Sequence, residues 1–405
     1  MKTQKNILVI GSRKREKAIK SNKNYKFHHF DFSYKPRKNN YEFDALKIIN
    51  ETGKYIENNQ IDGIYFSTDI GSVIGSILCQ KYNLPGPTLD ATITCQNKYY
   101  TRELLDTGVK HQAIKLNTSL KKLPEFPFYL KAPTSVLGIL GFTINNQKEF
   151  KQAIKIAKKE LPKLLKPTKK LYKKYLDIKK FPLANKPILL LEELIKKEQI
   201  TVDGYVYNNQ PQIVAITDTN LAPDLRLIDN FSTPSKLPLS LQKTIITQAC
   251  IDIKSTGLNN CAFNIEYWID NNKIRLIEIN SRAATCFTNL YKEAYNYDLY
   301  ATGLKLATSI NPKTLTLTPQ KYATQYNITT INEGRADQLF NFDYPIPYPH
   351  QFFRTPQETI KQISEYGQVI AQIELADKSL TNMHKKIQKL RHKLLKSPID
   401  QKLFD

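Results

Sequence analysis

Residues Ala262-Phe-Asn-Ile-Glu266-Tyr-Trp-Ile-Asp-Asn-Asn-Lys-Ile-Arg-Leu-Ile-Glu278-Ile-Asn280-Ser-Arg282 read as two β-strands joined at Asp270 to Lys273. Side chains alternate along a strand, so Glu278 and Asn280 share a face, and an even register sets Glu266 directly across from Glu278. A strictly two-residue loop would separate the two glutamates, so the reading expects a three-residue loop or a bulge. Two carboxylates opposed on adjacent strands repel, and amid Ile and Leu they are poorly solvated. Something positive belongs between them. A hard divalent cation such as Mg2+ suits carboxylate and amide oxygens and keeps positions for water and phosphate. Arg282, two residues past Asn280, then faces the same cavity as a donor fork for a phosphate or carboxylate. The residues alone leave a second reading open, an amphipathic hairpin with its glutamates in solvent.

Outward from the hairpin, the elements form an ordered series. From Asn6 to about Pro87, β-like runs (7–10, 63–67) alternate with helical ones (15–21, 45–58, 73–82), the pattern of an open parallel sheet. Leu84-Pro-Gly-Pro87 is a turn, and a helix is expected from there through Asn97, Lys98 and Arg102 towards Gly108. A strand at 128–132, a loop with Ser135, Gly138 and Gly141, a Lys-rich helix and an apolar strand at 188–191 read as a small α/β subdomain. Antiparallel strands at 200–207 and 212–217, a helix at 241–256 and the hairpin follow, then short strands and a last helix near 382–395. Ala283 to Tyr300 is expected to start as a loop and run into a helix whose tyrosines pack.

Composition narrows the class. The chain has 405 residues, 41% of them hydrophobic, enough for a sizeable core and either two or three domains or one large α/β assembly. No apolar run approaches the roughly 18 to 20 residues that a membrane-spanning helix needs, and the stretch at 7–10 is too short for a signal-peptide core. Five cysteines without a CxxC pair fit a reducing cytoplasm. No GxGxxG, GxxxxGK[ST] or HExxH occurs, so the dinucleotide fingerprint, the P-loop and that zinc motif are excluded. The net charge of +23 is compatible with a nucleic-acid or acidic partner. It is equally a product of a Lys-, Asn- and Ile-rich, Gly-poor composition, and that origin is preferred. In the Lys-rich stretch Phe150, Ile154, Ala157, Leu161 and Leu165 make one apolar helix face and the lysines a solvated one.

The hairpin motif resembles that of the ATP-grasp superfamily, which has a Glu on one strand and Glu-x-Asn-x-Arg on the next. The resemblance implies that Glu266, Glu278 and Asn280 hold Mg2+ (or Mn2+) against the phosphates of ATP. Arg282 would then stabilise the transferring phosphate or an acyl-phosphate. Leu84-Pro-Gly86, Asn97-Lys98, Arg102, Leu105 and Gly108-Val109 resemble the entry into the grasp domain. By the same likeness Lys98 and Lys131 contact ATP phosphate, Lys131 also the adenine and the catalytic step, and Thr134 to Gly141, with Ser135 and Gly138, closes over the phosphates. That flap is bulkier and more apolar than the family's. Leu189 to Ile195, with Glu192, Glu193 and Ile195, resembles the hinge that pairs with the adenine edge. Gln199 stands where a ribose-binding Glu is common, and Arg226 is a candidate to reach phosphate or substrate.

The implied fold is α/β with an α+β grasp. It comprises an N-terminal parallel-sheet domain (1–90), a two-lobed grasp domain (91–310, small lobe about 125–192) and a small C-terminal α+β domain (311–405). The implied reaction activates a carboxylate with ATP for attack by an amine or other nucleophile, both small molecules, with a homodimer as the family's plan. A biotin carboxylase-like reading meets Cys286 where carboxylases carry a Glu, and the chain lacks a Met-Lys-Met site. The carboxylate-amine ligase is therefore preferred. A non-catalytic grasp-fold protein binding nucleic acid or an acidic partner is the alternative of another class.

Overall fold

The computed structural model describes residues 4–11, 22–31, 43–135, 138–223, 227–313, 317–362 and 367–404. The first layer is a parallel sheet of β1 (Lys5–Gly11), β2 (Tyr25–Asp31) and, after α1 (Ala45–Glu57), β3 (Gly63–Phe66), in the order β2-β1-β3. Strand β1 is central and buried, which explains its uninterrupted Ile7 to Ile10 run. The helical run expected at 15–21 lies outside the described residues. Helix α2 (Asp69–Lys81) follows β3, with the Thr68 hydroxyl accepting from Gly71 N at 3.1 Å.

The single helix expected to run through Asn97 is two, α3 (Leu89–Gln96) and α4 (Lys98–Leu104). Asn97 has extended backbone, closes α3 and caps α4 by accepting from Tyr99 N at 3.2 Å. Asn competes for local backbone donors and so favours such a break over a helix interior.

The small lobe is a sheet of β4 (His111–Lys115), β5 (Phe128–Lys131), β6 (Gly141–Ile144) and β7 (Ile188–Glu193), ordered β4-β7-β5-β6. Helix α5 (Gln147–Tyr175) covers it with Phe150, Ala153, Ala157, Leu161 and Leu164 while exposing its lysines. The spacing of those apolar residues is the 3- and 4-residue pattern of one helix face.

The large sheet comprises β8 (Glu198–Tyr207), β9 (Gln210–Leu221), β10 (Ile228–Thr233), then, after α6 (Leu239–Thr256), β11 (Cys261–Asp270) and β12 (Lys273–Asn280). Helices α7 (Thr288–Tyr295) and α8 (Leu299–Ala307) lead to β13 (Tyr322–Thr330), β14 (His350–Phe352), β15 (Gln368–Asp377) and α9 (Leu380–Leu394). The sheet order is β12-β11-β8-β9-β10-β13-β15-β14. The segment after residue 311 thus shares its sheet with the large lobe through the β10–β13 pair. Tyr291 and Tyr297 are buried packing residues, as expected from the sequence. Among the described residues no helix is long and apolar enough to cross a membrane.

Candidate active site

The β11–β12 hairpin decides the geometry. Asn271 and Asn272 form a two-residue turn with φ of 50° and 66°, a left-handed conformation that Asn tolerates better than most residues. Asp270 pairs with Lys273 and Tyr267 with Leu276, a register that would oppose Glu266 to Ile277. A bulge at Ile277 corrects it, so Glu266 pairs with Glu278 and Asn264 with Asn280. The bulge also frees the Ile277 carbonyl to accept from the Arg102 guanidinium at 2.9 Å.

Two polar side chains, Lys98 and Gln199, bond to this pair. Lys98 Nζ lies 2.7 Å from Glu278 Oε2 and donates to the Ser135 carbonyl at 2.9 Å. Its place in the first turn of α4 follows from the Asn97 break, and it is buried. Gln199 donates to Glu266 Oε2 at 2.9 Å, so its amide serves the carboxylate pair here. Burial, then the neighbouring Glu278, push the pKa of Glu266 well above its ordinary range. Burial opposes ionisation of Glu278 too, but Lys98 outweighs it and takes that pKa down. One carboxylate is held charged and the other resists charging, the state expected of a pair prepared for a cation.

The donor set fits a hard divalent ion. Asn280 Nδ2 donates to Asn264 Oδ1 at 3.3 Å and to Glu278 Oε1 at 3.2 Å, which holds the Asn280 amide against the Glu278 carboxylate. Among the described residues no three His, Cys, Asp or Glu side chains converge as a metal cluster. A Mg2+ here would have two carboxylates and an amide oxygen, and would need water or phosphate to complete its shell.

Lys131 and Glu192 stand on the neighbouring strands β5 and β7 of the small lobe. Lys131 Nζ sits 2.6 Å from Glu192 Oε2, and Arg102 Nε 2.9 Å from Glu192 Oε1, with all three side chains buried. Burial lowers the pKa of Lys131 to about 8 in spite of Glu192. Glu193 points the other way, accepting from Lys110 N at 2.9 Å and from Arg275 at 3.0 Å, and Ile195 is half-buried in the β7–β8 connection. In the flap, the Ser135 hydroxyl donates to the Ala132 carbonyl at 3.0 Å, and Gly138 adopts φ 70°. Leu140 is buried in the small-lobe core, which accounts for the flap's apolar character. Val136, Leu137 and Arg226 lie outside the described residues.

Two groups not assigned a role from sequence complete the site. Arg282 Nε donates to Asp69 Oδ1 at 2.8 Å, joining the hairpin to the parallel layer. Asp203 is fully buried on β8, where Tyr291 donates to it at 2.5 Å and Asn264 at 3.1 Å. Burial raises its pKa to about 7 despite these donors. The run Tyr291, Asp203, Asn264, Asn280, Glu278 is a continuous hydrogen-bonded line that fixes both Asn side chains. Period-two alternation in Thr201-Val-Asp203 was the available signal for Asp203.

A sequence profile of the ATP-grasp domain matches residues 125–289. No curated protein sequence matches the chain. Among solved structures it resembles an L-amino acid ligase from Bacillus licheniformis, with TM-score 0.79, 13% identity and 97% of this chain and 98% of that one covered. It also resembles a carboxyaminoimidazole ribonucleotide synthase from Aspergillus clavatus complexed with ATP, with TM-score 0.69, 15% identity and 96% and 97% covered. A biotin carboxylase from Campylobacter jejuni gives TM-score 0.64, 14% identity and 97% and 92% covered. At these identities the likenesses establish the fold.

Proposed function

We propose that this chain, whose residues 125–289 match the ATP-grasp domain, is an ADP-forming carboxylate-amine ligase of the ATP-grasp type using ATP with Mg2+ or Mn2+. The observation that carries the reading is the bulge-corrected pairing of Glu266 with Glu278, with Lys98 and the Asn280 amide beside Glu278. The L-amino acid ligase and the ribonucleotide synthase among the similar structures support this class.

In this reading Glu266, Glu278 and Asn280 hold the metal, which neutralises phosphate charge. Lys98 and Lys131 bind the phosphates, and Glu192, itself held by Arg102, fixes Lys131. Ser135 and Gly138 belong to the closing flap, Ile195 lies on the nucleotide side, and Gln199 holds Glu266. Arg282 stabilises the acyl-phosphate formed when the substrate carboxylate attacks the γ-phosphate. Catalysis is mainly positioning and charge neutralisation. The amine then displaces phosphate from that intermediate. The domains run 1–90, 91–310 and 311–405, with the shared sheet as the frame. Its five cysteines are free, three of them buried, which fits a reducing cytoplasm.

The test is ADP release with small carboxylates, the common L-amino acids first, and hydroxylamine as nucleophile. ADP and a hydroxamate in equal amounts support the reading. Nucleotide binding with neither product for any pair contradicts it.

A further inference from the structure

Arg282 is held from across the molecule. Asp69, 213 residues earlier, accepts from its Nε, the only guanidinium nitrogen engaged among the described residues. Asp69 opens α2 directly after β3, at the C-terminal end of the strands. In the order β2-β1-β3 the chain changes sides between β1 and β3, the place where open parallel sheets carry ligands.

The attachment is built from several bonds. Gln96 Nε2 donates to the Asp69 carbonyl at 3.1 Å, to the Ser281 hydroxyl at 3.1 Å and to Ser72. The residue preceding Arg282 is thus tied to the same helix turn as Arg282 itself. A Cβ at Gly71 would come within 2.6 Å of Thr68 Oγ1 and 3.3 Å of the Ile10 carbonyl, so this turn sits close against the end of β1.

We propose that Asp69 is a positioning residue for the ligase reaction, holding Arg282 by Nε so that both Nη groups stay free to meet the acyl-phosphate. The inference rests on the ligase reading above. A guanidinium is a rigid fork, so fixing one nitrogen sets the direction of the others. The Asp69 carboxylate also balances the cation before any phosphate arrives. Asp69 acts through Arg282, and the parallel layer thereby contributes to a step performed on the grasp sheet.

The test uses the full chain carrying Asp69→Asn, Asp69→Ala, Asp69→Glu, Arg282→Lys, and Asp69→Asn with Arg282→Lys. Mg2+–ATP binding is followed by thermal shift and turnover by ADP and hydroxamate release. Asp69→Asn and Asp69→Ala should lower kcat by roughly 100-fold, the scale of a 1 Å misplacement, with KM for ATP unchanged. Asp69→Glu should recover part of the loss, and Asp69→Asn should cost nothing further once Arg282 is Lys. Wild-type kcat in the folded Asp69→Asn protein, or losses that multiply in the double variant, would overturn the inference and leave the ligase reading standing. A wild type that binds no Mg2+–nucleotide overturns both.

Discussion

Glu266 and Glu278 face each other across the β11–β12 hairpin because the bulge at Ile277 offsets a two-residue Asn271-Asn272 turn by one position. Without it Glu278 would fall opposite Ile265 and point away from Lys98. The extra residue is therefore part of the site's construction, and the carbonyl it frees anchors Arg102.

Arg102, Lys131 and Glu192 form a buried triad in which one carboxylate serves two cations. Removing one partner of a buried ion pair leaves uncompensated charge and costs about 3–5 kcal/mol. Glu192→Ala should lower stability by about that much in denaturant unfolding, and Glu192→Gln by less. A loss near zero would mean that water reaches both cations.

Stability should depend on pH through Asp203. Its folded-state pKa is raised from 3.8 to about 7, so the native state binds the proton more tightly than the unfolded chain. The contribution is fully present below about 3.8 and declines as pH rises through about 7. The stability difference between wild type and Asp203→Asn, followed by thermal unfolding from pH 4 to 8, should change in wild type's disfavour over that window. A pH-independent difference would show Asp203 to be solvated.

Cys286 is exposed four residues after Arg282, where a carboxylase-like chemistry would need a carboxylate base. Bicarbonate with free biotin should not stimulate ADP release, whereas a carboxylate with an amine should. Stimulation by bicarbonate and biotin alone would favour the carboxylase reading.

Much of this was legible because period-two alternation carries face information: the shared face of Glu266, Glu278 and Asn280, and the need for either a three-residue loop or a bulge, follow from counting along two strands. Lys98 and Lys131 were legible only as a series in order. Their counter-charges were harder, because Glu192 reads as the polar end of a buried strand and meets Arg102 only through the tertiary fold. Asp69 was least accessible, since nothing local in Ser67-Thr-Asp69 distinguishes a helix start from a partner 213 residues away. The break at Asn97 was missed because capping by its side chain overrode a continuous helical pattern.

The most direct test of the account is thermal unfolding with a non-hydrolysable ATP analogue, with and without Mg2+, in wild type and Glu278→Ala. A ligand that binds only the native state raises its melting temperature. The account predicts a Mg2+-dependent rise in wild type that is lost in Glu278→Ala, while the variant without ligand still unfolds cooperatively. No shift with millimolar nucleotide in wild type, or an equal shift in both proteins, would contradict it.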